Sequence, residues 1–328
     1  MPLNLEMIES AAARLAGRAR RTPLLSSPFL DALAGRRVLI KPECLQHTGA
    51  FKFRGGWAAV SALSGNQRAR GVITCSSGNH AQGVASAARA HAVPAVILMP
   101  SDAPALKIAN TRALGAEVVL YDRARDDREA ICARLREERG LHFISAYDNA
   151  EVVAGQGSVG LEIAEQAAEA GVRRAEVLVP CGGGGLSAGI ALALEARAPQ
   201  MRVRTVEPEG FDDTARSLAS GRIETNPRAT GSICDAILTP APGALTFPVL
   251  QRLAGPGLAA SDDEALRAMA AAFARLKIVA EPGGAVALAA ALFRGQDLDG
   301  EALIVVITGG NVDGADFARA LERFGTGE

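Results

Sequence analysis

The chain has 328 residues, of which 48% are hydrophobic and 22% charged, so a disordered or collagen-like polypeptide is excluded and there is length for two domains with real cores. Thirty-five basic residues stand against 36 acidic ones, a net charge of −1 with no block of like charge, which argues against nucleic acid as a partner. Five scattered cysteines, Cys44, Cys75, Cys132, Cys181 and Cys234, lack a CxxC pair and exclude both a disulfide framework and a cysteine zinc site.

No basic start followed by an apolar run opens the sequence MPLNLEMIES, which predicts a cytoplasmic protein. Short β-branched runs then alternate with Ala-rich stretches. A strand is expected at residues 38–40, another at 72–75 followed by a helix at 81–91, and strands at 95–99 and 117–121. A helix at 127–139, a strand at 142–145 and a helix at 158–170 come next. The uncharged run 177–194 is long enough to raise a membrane span, but Pro180 and Gly182 to Gly185 break it into strand, turn and helix. A strand at 203–206, an extended Pro/Gly-rich crossing at 226–256, a helix at 263–277 and a strand at 303–307 complete the series. Continuous apolar strands separated by helices imply an α/β protein with two doubly wound, mostly parallel sheets covered on both faces.

Thirty-five glycines are the skewed part of the composition. In VLVPCGGGGLSAG a strand runs into Gly182, Gly183, Gly184 and Gly185 and then directly into a helix, leaving free backbone N–H groups at a positive helix end, a phosphate-binding geometry. Gly183-x-Gly185-x-x-Ala188 with Glu207 ending the next strand also satisfies the dinucleotide fingerprint, so an NAD-binding Rossmann protein is one reading and a glycine turn for close packing another. VITCSSGNHAQGVA places Ser76, Ser77, Gly78, Asn79 and His80 at a second helix start, suited in size to a carboxylate or serving as an ordinary N-cap. In HTGAFKFRGG, Lys52 lies between Phe51 and Phe53, where desolvation lowers an amine's pKa; a surface lysine with a buried stem is the plainer alternative.

HTGAFKFRGG, SSGNHAQG, PCGGGGLSAG and TGGNVD, in this order and at these separations, resemble the fold type II pyridoxal-phosphate enzymes, in the serine/threonine dehydratase and serine racemase branch. The resemblance runs from about residue 15 to 317. His80 after SSGN indicates the dehydratase branch, since sulfhydrylase-type relatives carry Thr there. It implies a tryptophan synthase beta-like fold: a large cofactor domain from residues 1–65 and 146–328, a small mobile substrate domain at 66–145, and the active site in the cleft between them. By the same resemblance Lys52 holds pyridoxal 5'-phosphate covalently, and Gly182 to Gly185 with Leu186 cradle its phosphate. Asn79 meets the ring hydroxyl, Phe51 and the backbone around Gly231 cover the two ring faces, and Thr308 meets the pyridine nitrogen. Ser76, Ser77, Asn79 and His80 hold the carboxylate of a small amino-acid substrate. Lys52 serves as the base that removes the Cα proton, so that water is eliminated from L-threonine, L-serine or a related β-hydroxy amino acid such as hydroxyaspartate, giving a 2-oxo acid and ammonia. Ser77 matches the second acid/base of the racemases, which keeps serine racemase-like activity as the alternative. A homodimer without a C-terminal regulatory domain is expected.

Glu207 and Asp213, with the backbone carbonyl at Phe211, match the acidic pair that binds a divalent cation in racemase-like relatives; oxygen donors of this kind suit Mg, Mn or Ca. The plainer alternative makes Glu207 a strand cap and Asp213 a helix cap. Thr230 precedes Gly231 where relatives commonly carry an acidic residue. Glu281, in AEPGGA, matches a position near the active site, while a Glu before Pro also opens helices in the ordinary way.

Overall fold

The computed structural model describes residues 3–76, 78–103 and 105–325. Among them the strands are β1 (Leu25–Ser26), β2 (Arg37–Pro42), β3 (Val72–Cys75), β4 (Ala95–Pro100), β5 (Glu117–Tyr121), β6 (His142–Phe143), β7 (Ala175–Pro180), β8 (Met201–Pro208), β9 (Leu258–Ala260) and β10 (Ala302–Ile307). The helices are α1 (Leu5–Leu15), α2 (Pro28–Ala34), α3 (Lys52–Ser61), α4 (Gly65–Arg70), α5 (Asn79–Ala90), α6 (Ala105–Ala113), α7 (Arg128–Arg139), α8 (Ala150–Glu169), α9 (Gly185–Arg197), α10 (Asp213–Ser220), α11 (Phe247–Leu253), α12 (Asp262–Leu276), α13 (Pro282–Phe293) and α14 (Gly314–Phe324).

Apolar runs of the kind in β7 and β10 cannot face water on either side, and both strands are buried at every position. They lie centrally in a six-stranded sheet of order β1-β2-β10-β7-β8-β9, parallel except for β1 against β2. β10 pairs with β2 in the register Leu303 to Val38, which joins the two ends of the chain in one sheet. The second sheet, β5-β4-β3-β6, is wholly parallel and drawn from the intervening chain.

Glycine sets how closely the helices between the sheets approach. A Cβ on Gly83 of α5 would lie 2.7 Å from the Lys52 carbonyl oxygen, and one on Gly56 of α3 would lie 2.7 Å from the backbone of Gly83. Only bare backbone lets α3 and α5 touch here, and this contact sets the two helix starts, Lys52 and Asn79, side by side. Gly155 of α8 packs against the Arg54 carbonyl in the same manner, 2.4 Å from where its Cβ would be. The expectation of a helix beginning at 158 is therefore corrected: α8 starts at Ala150, capped by Asn149, whose Oδ1 accepts from the Val152 N–H at 3.0 Å. The 226–256 crossing is also interrupted, by α11, with Pro248 in its first turn, where proline's missing N–H costs nothing.

α3 is held from behind by a buried ionic cluster. The Arg54 guanidinium, 1% exposed, donates to both oxygens of Glu43 at 2.8 Å and to both of Glu162 at 2.7 and 3.0 Å. Lys41, fully buried, donates to Glu162 at 2.5 Å, to Gln166 at 2.8 Å and to the Thr22 carbonyl at 2.7 Å. Two cations meet two carboxylates, so the cluster is neutral and its donors are used.

Candidate active site

The C-terminal ends of parallel strands are where α/β sheets leave loops and helix N-termini free, and the cleft lies there, with a volume of about 570 Å³. Three chain segments converge on it. The loop before Lys52 is tied to the end of β10, because the Phe51 N–H donates to the Thr308 carbonyl at 3.1 Å and Ala50 bridges Gly309. Lys52 then opens α3. Its Nζ donates to the Ala146 carbonyl at 2.8 Å and lies 5.0 Å from the centre of the Phe51 ring. Burial lowers the amine to about 8, against a smaller upward pull from the Glu281 carboxylate.

The turn between β7 and α9 supplies the second segment. Gly184 has φ 85°, a left-handed conformation in which side chains are strained, and it leads straight into the N-terminus of α9. A Cβ on Gly183 would lie 2.1 Å from the Tyr147 ring, so the tyrosine covers the turn only because glycine stands beneath it. From below, Thr246 Oγ1 donates to the Gly183 carbonyl at 2.7 Å and the Gly243 N–H to the same oxygen at 3.1 Å, which turns the amides of the cup rather than its carbonyls to the cleft.

The third segment follows β3. Ser76, Gly78, Asn79 and His80 line the cleft; Ser77 lies outside the described residues. Asn79 is fixed on both sides of its amide: Nδ2 donates to Glu281 Oε1 at 2.6 Å, and Oδ1 accepts from Asn311 Nδ2 at 2.7 Å. One Nδ2 hydrogen remains for a ligand. Burial raises the Glu281 carboxyl to about 7, an effect the Asn79 hydrogen bond opposes. The position of Gly309 follows from this network, since its Cβ would fall 2.1 Å from Glu281 Oε1.

Phe51, Lys52, Asn79, Gly182, Gly183, Gly184, Gly185, Leu186 and Thr308 are thus brought to one cleft with Ser76 and His80. His80 lies in the first turn of α5, with its ring turned to the protein. Burial, reinforced by Lys52, lowers its pKa to about 3, and its Nε2 lies 3.2 Å from the Ile144 carbonyl. That oxygen only accepts, so Nε2 carries the proton and the ring ties the loop to the end of β6, while the backbone N–H of His80 stays at the open start of α5. Gly231 is a correction. It is exposed, beside Phe211 and Arg228, and outside the cleft, whose corresponding wall is built from residues 235–240. Tyr147, Thr246 and Asn311 went unread in the sequence; of these only Asn311, inside TGGNVD, carried a motif that pointed to the site.

Glu207 is fully buried and accepts from the backbone N–H groups of Thr214 at 3.0 Å and Ala215 at 2.8 Å, capping α10. So placed, it cannot reach a ribose, which removes the dinucleotide reading of the glycine turn. Burial, and then the nearby Asp213, raises its carboxyl well above the ordinary range. Asp213 Oδ1 accepts from Asn226 Nδ2 at 2.5 Å, while Oδ2 is buried without a partner. Phe211 packs its ring in the interior beside them. Among the described residues no three His, Cys, Asp or Glu side chains converge as a metal cluster, and no helix is long and apolar enough to cross a membrane.

A half-buried lysine of lowered pKa facing an amide-lined glycine cup and a fixed asparagine fits a phosphorylated pyridine aldehyde: an amine for the carbonyl, free N–H groups for the phosphate, and a donor for the ring hydroxyl. Comparison with known proteins agrees. Residues 15–310 match the family model described as pyridoxal-phosphate dependent enzyme. An L-threo-3-hydroxyaspartate ammonia-lyase from Pseudomonas sp is 43% identical, covering 95% of this chain and 96% of that protein. The crystal structure of a T.th. threonine deaminase superposes with a TM-score of 0.89 at 44% identity, covering 94% of this chain and 99% of that one. Maize serine racemase gives 0.90 at 36% identity, with 98% of each chain covered. The glycine cup, the lysine and the four motifs are those of a fold type II enzyme, and the chain belongs to the pyridoxal-phosphate dependent enzyme family.

Proposed function

We infer that the protein is an ammonia-lyase that eliminates water from a β-hydroxy amino acid and releases a 2-oxo acid and ammonia. The observation that carries this reading is Lys52 Nζ, held in the cleft at a pKa of about 8 between the glycine cup and the Asn79 loop. At pH 7 roughly a tenth of such amines are unprotonated, against less than about a thousandth of an ordinary lysine. Bound in this cleft, pyridoxal phosphate supplies an electron sink for the bond from Cα to its hydrogen. The residues do the rest. Amides of Gly183 to Leu186 hold the phosphate, the remaining Nδ2 hydrogen of Asn79 orients the ring through its hydroxyl, and Phe51 lies along one face. Thr308 offers a neutral hydroxyl to the pyridine nitrogen, which does not keep it protonated as a carboxylate would, and this favours elimination over reactions that need a long-lived carbanion. The Ser76 to Asn79 loop holds the substrate carboxylate through its hydroxyls and N–H groups. Lys52, as the free amine, takes the Cα proton.

Relatives named ammonia-lyases for threonine and for L-threo-3-hydroxyaspartate, at 38–43% identity, support the elimination; relatives named serine racemase support a second outcome on the same residues. The test is to incubate the holoenzyme with L-serine and L-threonine and measure 2-oxo acid against D-amino acid. Release of 2-oxo acid as the main product, abolished with the cofactor's visible absorption band in Lys52→Ala, is expected. D-serine outpacing pyruvate would overturn the elimination reading.

Three further elements belong to the proposal. Residues 66–145 act as a unit that closes the Ser76 loop over substrate, with Lys107 Nζ, 3.9 Å from Asp235, as a contact across the cleft mouth. A homodimer forms, supported by the exposed apolar side chains Phe29 and Leu33 on α2 and Phe273 on α12, the last helix packed against α2. A divalent cation binds Glu207, Asp213 and the Phe211 carbonyl, supported by the unpartnered Asp213 Oδ2 and by lone pairs that Glu207 retains beyond its two amides. Size-exclusion mass measurement tests the dimer. A melting temperature raised by Mg or Ca in the wild type and unmoved in Asp213→Asn tests the cation.

A further inference from the structure

The five cysteines lie scattered along the chain, yet the fold brings two of them together in the wall of the cleft. Cys75 is the last residue of β3, and Cys132 stands in α7, which packs across that strand. Cys132 and Leu135 share the buried face of the helix and join Ile73, Leu98 and Leu141 in one apolar cluster, against which Cys75 packs. The two thiols lie within hydrogen-bonding reach of each other, and both residues line the cleft. Cys75 is only half-buried, so the pair is reached from the cleft on its side, and it directly precedes Ser76 of the carboxylate loop.

Nothing in the ammonia-lyase reading uses these thiols. Cys44, Cys181 and Cys234, by contrast, are buried singly among carboxylates, hydroxyls and backbone groups. Two sulfurs in an apolar wall are a poor site for magnesium or calcium, which take about six oxygens, and for zinc, whose structural sites are tetrahedral. They suit a soft cation that two thiolates satisfy, copper(I) above all. Burial pushes the Cys75 thiol up to about 12, so without a metal it stays protonated and unreactive, and binding a metal releases protons. Two thiolates around a monocation leave one net negative charge in the wall. The Arg128 guanidinium, one helical turn before Cys132 and within electrostatic reach of Cys75, compensates it. The carboxylate that Arg128 meets is that of Glu129, 72% exposed, and an exposed pair of this kind holds the guanidinium weakly.

We propose that Cys75 and Cys132 form a two-sulfur site for copper(I) in the wall of the cleft, and that filling it arrests the enzyme. Each thiol gives its proton to solvent, a sulfur–copper bond forms at each, and no electron is transferred. The metal then ties the end of β3, and with it the Ser76 loop, to α7, so the loop no longer adjusts to the substrate carboxylate. The copper site stands apart from the ammonia-lyase reading; only the arrest rests on that reading.

The experiment offers copper(I), as its bicinchoninate complex under argon, to the holoenzyme and reads the metal withdrawn from the fall in the complex's absorbance, with 2-oxo acid production followed in parallel. The wild type withdraws copper(I) and loses turnover in proportion to the metal bound. Cys75→Ser and Cys132→Ser each weaken the withdrawal at least about tenfold, a lower bound set by what loss of an outer partner alone costs a metal site, and each retains its own copper-free rate when copper is added. Cys234→Ser behaves as the wild type. Cys75→Ala and Cys132→Ala take the place of the serine variants where a buried hydroxyl unfolds the wall. No withdrawal by the wild type, withdrawal unchanged in Cys75→Ser or Cys132→Ser, or an equal loss in Cys234→Ser overturns the site. Withdrawal that needs both thiols but leaves turnover untouched overturns the arrest. If no β-hydroxy amino acid yields 2-oxo acid while copper(I) is still withdrawn through both cysteines, the elimination reading fails and the copper site stands.

Discussion

Removing Arg54 separates what the buried ionic cluster contributes by charge from what it contributes by packing. Arg54 is 1% exposed and Glu43 fully buried, so Arg54→Met keeps the volume but leaves Glu43 and Glu162 facing Lys41 alone, one uncompensated negative charge in the interior. Breaking a buried pair from one side costs about 3–5 kcal/mol. With an unfolding entropy of about 0.7 kcal/mol/K for a chain of this length, the melting temperature falls by about 4–7 °C. The sign of its pH dependence is fixed by Glu43. In the wild type, burial alone would push this carboxyl up, but the Arg54 guanidinium, together with Lys41 and the Thr22 hydroxyl, outweighs burial and holds it below the ordinary carboxylate range. Without Arg54 burial prevails, the carboxyl rises, and protonation on going from pH 8 to pH 5 removes the stranded charge. The deficit of the variant therefore shrinks as pH falls, and the double variant Arg54→Met with Glu43→Gln recovers part of it at pH 8. Thermal melts of the three holoenzymes across this range are the assay. A deficit under 1 °C, or one of equal size at both pH values, would refute the electrostatic account.

Glu281 acts in the same pH window and with the same sign as the stranded Glu43 of that variant. The folded chain retains its proton up to about pH 7, whereas the unfolded chain releases it near 4.5, so the folded state binds more protons between these values and loses stability as pH rises, by up to about 3 kcal/mol; a Tm that falls between pH 5 and 8, less steeply in Glu281→Gln, is expected. Gly83→Ala inserts a methyl against the Lys52 carbonyl, where 2.7 Å is available, and should cost about 1–3 kcal/mol and lower kcat by moving Asn79 away from Lys52, both read on the holoenzyme. Gly183→Ala drives a Cβ into the Tyr147 ring and should weaken cofactor affinity at least about tenfold, measured by fluorescence quenching on reconstitution, whereas an unchanged affinity would mean the tyrosine moves freely from the cup.

How far the sequence was legible follows from how local each signal is. β7 and β10 declared themselves because strands buried on both faces must be continuously apolar, and the Lys52, Ser76 and Gly182 segments because each is a short strand-to-helix turn whose function sits in adjacent residues. At α8 the expected start at 158 left out Gly155 and Gly157, which in the structure serve helix packing; nothing nearby in the chain distinguishes a glycine needed for φ from one needed to let a partner helix approach. His80 was legible as a residue of the cleft, but the partner of its ring was not, since the Ile144 carbonyl that meets Nε2 lies 64 residues away. Gly231 was misplaced because a loop's distance from a cleft is set by what packs beneath it, here the Phe211 ring. The partners that fix Asn79, Glu281 and Asn311, are 202 and 232 residues distant along the chain, beyond the reach of any spacing rule. What brings them together is the pairing of β2 with β10, which returns the C-terminal part of the chain to the strand that precedes Lys52. A motif read along the chain therefore names the groups that touch cofactor and substrate, while the groups that orient them come from sheet topology. It follows that Asn311, though it touches no ligand in this reading, has a role a local motif cannot reveal: holding the Asn79 carbonyl so that its amide hydrogens face Glu281 and the ring.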